Sequence, residues 1–253
     1  MTGRFPTAEM DAVARAFPGR LGFYVEDINT GDCHQYAADR RYPTASVCKV
    51  TVLIELFRQA RDGAISLDTR VRVPDNVSSL GSGMLSMLQD TPELTLLDYA
   101  RLMIIVSDNI ATDTLMGILG NKNINATLDR LGYPETRTTV TIGEYHYRMR
   151  NLGHLPRNRE SDALQRGSDK YPLDYSSVSY TDSLENNVAR PVDMADMLRR
   201  MHRGEMVDAS ASVAMLDIMK QTNYVQGIRK HLRPGTPIAH KSGSSGIIKG
   251  HVG

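Results

Sequence analysis

The sequence is poor in the features that would tie it to metal, nucleic acid or a bilayer. It holds only 2 cysteines, Cys33 and Cys48, neither in a CxxC pair nor beside a spaced histidine set, so zinc and thioredoxin-like chemistry lack support. Both are expected to be free thiols, Cys48 packed in a helix. His146, His154 and His202 show no HExxH spacing, and neither a metal nor another cofactor is expected. An excess of charge of one sign is also missing, with 30 Lys and Arg against 29 Asp and Glu. There is no basic field to gather phosphates, which excludes nucleic acid as an expected partner. No apolar run approaches the ~18 residues of a membrane span, the longest candidate being residues 102–106 inside an amphipathic pattern. The N-terminal stretch lacks the basic start, apolar centre and small-residue cleavage site of a secretory signal, which leaves localisation open. What is present, 41% hydrophobic and 23% charged residues over a chain of 253, is the composition of a packed globular protein with a sizeable core.

After a short helical start, residues 21–27 (LGFYVED) form an apolar, aromatic and β-branched run. Residues 29–32 (NTGD) then supply a turn before 33–37, which predicts a β-hairpin. From Ala45 the pattern changes to helical spacing in SVCKVTVLIELFRQARDG, with Gly63 as its stop, so Ser46 falls in the first turn of a helix. Thr95 and Asp98 resemble a capping box opening a helix over 96–106; residues 107–109 interrupt it, and a second helix follows over 110–119. Residues 134–187 carry only short periodic pieces and read as an irregular excursion, a kind of segment that is usually functional or disordered. Amphipathic helices return at 191–204, with Pro191 at the start, and at 210–221. The order predicts one α/β (α+β) domain over 1–253 with two lobes. An antiparallel sheet lobe is built from both chain ends, 1–45 and 222–253, and a mainly helical lobe, 46–221, is inserted between them. A cleft between such lobes is a natural site.

Three short motifs occur in order: Ser46-Val47-Cys48-Lys49, Ser107-Asp108-Asn109 and Lys241-Ser242-Gly243. Each alone is weak, because SxxK arises about once by chance in a chain of ordinary composition. Together with the longer stretches 42–53 (YPTASVCKVTVL), 81–85 (GSGML), 102–112 (LMIIVSDNIAT) and 234–244 (PGTPIAHKSGS), they resemble the class A β-lactamases and penicillin-binding proteins. The resemblance leaves out only residues 135–187. It implies a β-lactamase/transpeptidase-like fold and a serine hydrolase that forms an acyl-enzyme on Ser46. The substrate would be a small molecule, a β-lactam or a peptidoglycan-like amide or ester. β-Lactam hydrolysis is the leading expectation, a DD-peptidase or esterase the rival, and a non-catalytic β-lactam or peptidoglycan sensor the reading from another class. A monomer, periplasmic or secreted, goes with this resemblance.

A serine hydroxyl needs a base, and a lysine three residues on in a helix lies on the same face, so Ser46 and Lys49 can meet. Lysine in water titrates near ~10.4, so a base role requires burial or a second cation such as Lys241; otherwise Lys49 stays charged and only orients Ser46 or a water. The free N–H groups of the helix start let the Ser46 amide face an oxyanion, with the Ser244 amide as the second donor that the resemblance implies. By the same resemblance Ser107 passes a proton to the leaving nitrogen and Asn109 holds a substrate amide. Lys241 and Ser242, in the triplet closed by Gly243, bind its carboxylate. Asp108 reads as structural.

Two departures from the family pattern stand out. The Glu-Pro-x-Leu-Asn run whose glutamate activates the deacylating water in class A β-lactamases is absent. Glu144, in TRTTVTIGEYHYR, is the best positional match and Glu185 the other candidate. The third motif is KSG in place of KTG, which keeps the hydroxyl. The family also continues beyond the point where this chain stops, so its C-terminal strands are expected to be missing here and the piece to be truncated.

Overall fold

The computed structural model describes residues 5–78, 80–165 and 170–253. Helix α1 (Thr7–Ala16) leads into the hairpin β1 (Phe23–Glu26) and β2 (Cys33–Tyr36), with Phe23 opposite Tyr36 and Glu26 opposite Cys33. Its turn is closed by Asp27, whose carboxylate accepts the Asn29 amide at 2.9 Å, and by Gly31 at φ 77. A two-residue strand β3 (Tyr42–Pro43) precedes a 3-10 turn, Ala45–Cys48, that runs straight into α2 (Lys49–Arg61).

Helix α2 is built against its own propensities. Val50, Thr51, Val52 and Ile54 are β-branched and stiff in a helix, yet all four are buried, so packing and not propensity holds it. Its buried polar groups are all partnered. The Glu55 carboxylate accepts from Arg58, Gln59 and Thr127, and the Thr51 hydroxyl meets that of Thr138 at 2.6 Å.

A short pair, β4 (Arg70–Arg72) and β5 (Glu93–Thr95), precedes α3 (Leu96–Ile105), α4 (Asn109–Leu119) and α5 (Asn121–Leu131), and α2 packs against all three helices. The Thr95–Asp98 box is formed, the Asp98 amide donating to the Thr95 hydroxyl at 3.0 Å and that hydroxyl to the Asp98 carboxylate at 2.7 Å.

The stretch 134–187 is more regular than its sequence suggests. It contains α6 (Ile142–Arg148) and α7 (Arg159–Gln165), and α6 closes a small cluster of Val140, Tyr145 and Met149. Its helices are only seven residues each, barely two turns, so tertiary contacts settle them.

After β6 (Val188–Ala189), which pairs with β3, come α8 (Pro191–His202) and α9 (Ala209–Lys220). They bring the buried methionines Met194, Met197, Met201, Met215 and Met219 into the main core. The chain closes with the hairpin β7 (Lys241–Ser245) and β8 (Ile248–Val252), with Gly243 opposite Gly250. The mixed α/β fold follows the expectation, with one difference in the sheet lobe. Among the described residues the two terminal hairpins are not hydrogen-bonded to each other: β1 lies on α8, and β7 lies on the turn before α2.

Candidate functional site

The close approach of β7 to the start of α2 organises the site. A Cβ on Gly243 would press on the Thr44 carbonyl oxygen and lie 2.9 Å from the Val47 nitrogen and 3.0 Å from the Ser46 nitrogen. Only glycine lets the strand run this close to the backbone of the turn. Ser46, half-buried, and Ser244 thereby line one cleft of about 140 Å³ together with Ser82 and Asn109. Ala45, immediately before Ser46, has φ 44, a left-handed conformation uncommon for alanine that turns the chain into the 3-10 start.

Lys49 is fully buried. Its ammonium donates to the Ser107 carbonyl oxygen at 2.7 Å, the Ser107 hydroxyl at 3.1 Å and Asn109 Oδ1 at 2.8 Å. Ser107 itself sits at φ 57, and its carbonyl also accepts the Ser82 hydroxyl at 2.7 Å. From β7, Lys241 reaches the same Ser107 hydroxyl at 3.0 Å while also donating to the Ser242 carbonyl at 2.7 Å. A serine hydroxyl has two lone pairs and one proton. With both lone pairs taken by lysines, Ser107 is left as a donor, the role a leaving nitrogen needs.

The two lysines share a dry corner, and burial disfavours their charged forms. Lys49 is lowered to about 8 by desolvation. Lys241 is lowered to about 7, first by desolvation and then by the charge of Lys49. Both therefore give up a proton far more readily than an exposed lysine does. Cys48, by contrast, is pushed up to about 11 by burial and stays a protonated, inert thiol.

Asp108 and Asn109 hold the loop in place. The Asp108 carboxylate accepts the Ala111 amide at 2.9 Å as the cap of α4, and the Met84 and Leu85 amides at 2.6 and 2.9 Å. Asp108→Ala is therefore expected to cost about 3 kcal/mol, a cap plus orphaned buried amides. Thermal unfolding should show a Tm lower by about 6–12 °C; a shift under a degree would contradict this. Asn109 donates one amide hydrogen to the Leu80 carbonyl at 2.9 Å and retains a second.

The structure does not bring Glu144 to Ser46. On α6 the residues Ile142, Tyr145 and His146, at i, i+3 and i+4, face the cleft, and Glu144 falls on the other stripe. There its carboxylate pairs with Arg148 at 2.5 Å and Arg157 at 4.0 Å. Glu185 is exposed, with its carbonyl taken by Arg148 at 3.1 Å, and it is Asn187 that reaches the cleft. Among the described residues lining the cleft there is no carboxylate.

Sequence reasoning missed Ile142, Tyr145, His146 and Asn187, and also Asp113. The last is buried and its carboxylate receives the Ile142 and Gly143 amides at 2.6 and 2.7 Å, fixing the first turn of α6 against the cleft. Burial raises it to about 6, against the pull of those two amides. Its spacing of four from Asn109, on the same face of α4, was the available signal.

The model of the beta-lactamase enzyme family matches residues 6–253. Beta-lactamase L2 of Stenotrophomonas maltophilia is 30% identical over 128 residues, 50% of this chain and 42% of that protein, so the match spans less than half of the relative's length. Among solved structures, PBP-A superposes with a TM-score of 0.76 at 22% identity, covering 97% of this chain and 79% of the other. A beta-lactamase from Sphaerobacter thermophilus gives 0.73 at 24% identity, with 94% and 78% covered. At these identities the structural likeness speaks for the fold alone.

Proposed function

We propose, from the premise that the chain belongs to the beta-lactamase enzyme family, that it is a serine hydrolase opening β-lactam rings through an acyl-enzyme on Ser46. The observation that carries this reading is the Ser107 hydroxyl, held at 3.1 Å by Lys49 and at 3.0 Å by Lys241, in a network that reaches the cleft of Ser46 through its lining residues Asn109 and Ser82. A neutral lysine, Lys49 three residues on from Ser46, takes the Ser46 proton. Ser46 attacks the lactam carbonyl, the Ser46 and Ser244 amides receive the oxyanion, and the proton passes through Ser107 to the leaving nitrogen. Lys241 and Ser242, next to Gly243, bind the substrate carboxylate, and Asn109 offers its unused amide hydrogen to the substrate side chain. No metal or other cofactor enters the scheme.

A second reading, a penicillin-binding DD-peptidase or sensor that keeps its acyl group, is favoured by the lack of a carboxylate among the described cleft residues. A variant of the structural neighbour PBP-A was itself solved as an acyl-enzyme complex with penicillin G. Intact-protein mass spectrometry after mixing with benzylpenicillin separates the readings. A transient adduct on Ser46 with penicilloate released marks the hydrolase, and a lasting adduct marks the second reading. If Ser46→Ala still forms the adduct or turns over, both are wrong.

A further inference from the structure

Adjoining the Ser46 cleft is a second cavity of about 210 Å³, and Gly81, His146 and Ser245 line both. Gln165, 4% exposed, lines it with both side-chain atoms, Oε1 and Nε2, buried and without a hydrogen-bond partner, and His146 Nδ1 is likewise buried and unpartnered. Buried amide and imidazole atoms are rarely left unmatched, since each costs about 1–3 kcal/mol. A cavity of this volume has room for several waters at about 30 Å³ each, and unpartnered polar atoms on the residues that line it are the kind of partner that ordered water needs. The partly buried His146 lines both cavities and so shares one wall with the second cavity and one cleft with Ser46.

We infer that this second cavity supplies the hydrolytic water and that His146, in place of a glutamate, is the base that activates it, with Gln165 positioning the water. The inference rests on the acyl-enzyme reading of Ser46. The water oxygen forms the new bond to the acyl carbon and one water proton passes to the His146 imidazole. The acyl carbon–Oγ bond then breaks, and that proton returns to Ser46 Oγ. The product acid loses its remaining proton to solvent. Burial first, and then the charges of Lys49 and Arg150, lower His146 to about 4, so the ring is neutral and able to accept at the start of the step. Its basicity then resembles that of a carboxylate, while its neutral form leaves the two lysines without a competing ion-pair partner in the cleft.

The test follows the Ser46 adduct of benzylpenicillin over time by mass spectrometry in the full chain and in His146→Ala, His146→Gln and Gln165→Leu, each first checked for a cooperative thermal transition. The full chain is expected to clear its adduct. Both His146 variants should still acylate and then hold the adduct about 100-fold longer or more, the loss of a general base. Added imidazole should shorten the adduct lifetime of His146→Ala, a rescue that a packing role would not permit. Gln165→Leu should prolong the adduct without preventing its formation. Clearance by His146→Gln at the full chain's rate overturns the inference. So does a permanent adduct on the full chain, which leaves the Ser46 reading intact; the absence of any adduct on the full chain removes the Ser46 reading itself.

Discussion

Lys49→Ala is expected to slow acylation of Ser46 by about a thousandfold, the middle of the range for loss of a general base, which is about 4 kcal/mol of barrier. The side chain is fully buried and makes three hydrogen bonds that reach both Ser107 and Asn109, so its position is not negotiable. Lys49→Arg divides the two roles that the sequence leaves open. A guanidinium keeps the charge and the donors but does not give up a proton in this pH range. If Lys49 is the base, arginine is as inactive as alanine; substantial activity in Lys49→Arg would make the lysine an orienting cation. The sign of the pH dependence follows from burial. Desolvation lowers Lys49 to about 8 and Lys241 to about 7, so a neutral amine becomes available as pH rises. Acylation rates from stopped-flow mixing should therefore climb as pH rises through about 7 to 8, where an unburied lysine pair would give a rise only near 10. A rate flat from pH 6 to 9 would sink the base role.

Much of this arrangement is legible without coordinates, for identifiable reasons. Helices α3 and α8 announce themselves by the Thr95–Asp98 box and by Pro191 at a helix start, both local signals that the structure contains. Ser46, Ser107 and Lys241 are legible because each sits in a short motif whose neighbours specify its local backbone. Helix α5 passes unnoticed, although Ile124 and Leu128 are four apart and Gly132 closes it in the left-handed region, because NKNINATLDRL is polar on most of its surface. The wall of the cleft on α6 is hidden for a different reason. A seven-residue helix shows barely two turns, so nothing in IGEYHYR says which stripe faces Ser46. That choice is made from afar, by Asp113 gripping the first turn and by Arg148 and Arg157 drawing Glu144 outward. The family resemblance points to a glutamate as the base, and long-range contacts turn the histidine toward the cleft instead.

Gly243→Ala is expected to damage stability and chemistry together, because one added methyl group falls between the two elements that carry the proposed oxyanion donors, the Ser46 and Ser244 amides. Its Cβ would meet the Thr44 carbonyl oxygen and the Val47 and Ser46 nitrogens, the last two at 2.9 and 3.0 Å. All three are backbone atoms, which cannot rotate aside as a side chain would, so β7 or the turn before α2 has to move. Overpacking of this kind costs about 2–3 kcal/mol, or a Tm lower by about 5–10 °C for a chain of this size. Any outward shift of β7 also separates the Ser244 amide from that of Ser46, and loss of one oxyanion donor slows acylation by about 100- to 1,000-fold. Gly250 offers the internal comparison, since it pairs with Gly243 across the hairpin. A Cβ there would meet only the Val47 Cγ2 atom at 3.4 Å and the Thr44 oxygen at 3.9 Å, ordinary contacts that the Val47 methyl can accommodate. Gly250→Ala should therefore keep its Tm within about 3 °C of the parent, under 1 kcal/mol, and acylate at a comparable rate. Equal penalties at the two positions would mean that the hairpin merely tolerates no side chains. A penalty confined to Gly243 would show that the nearness of β7 to the Ser46 turn is what assembles the oxyanion site.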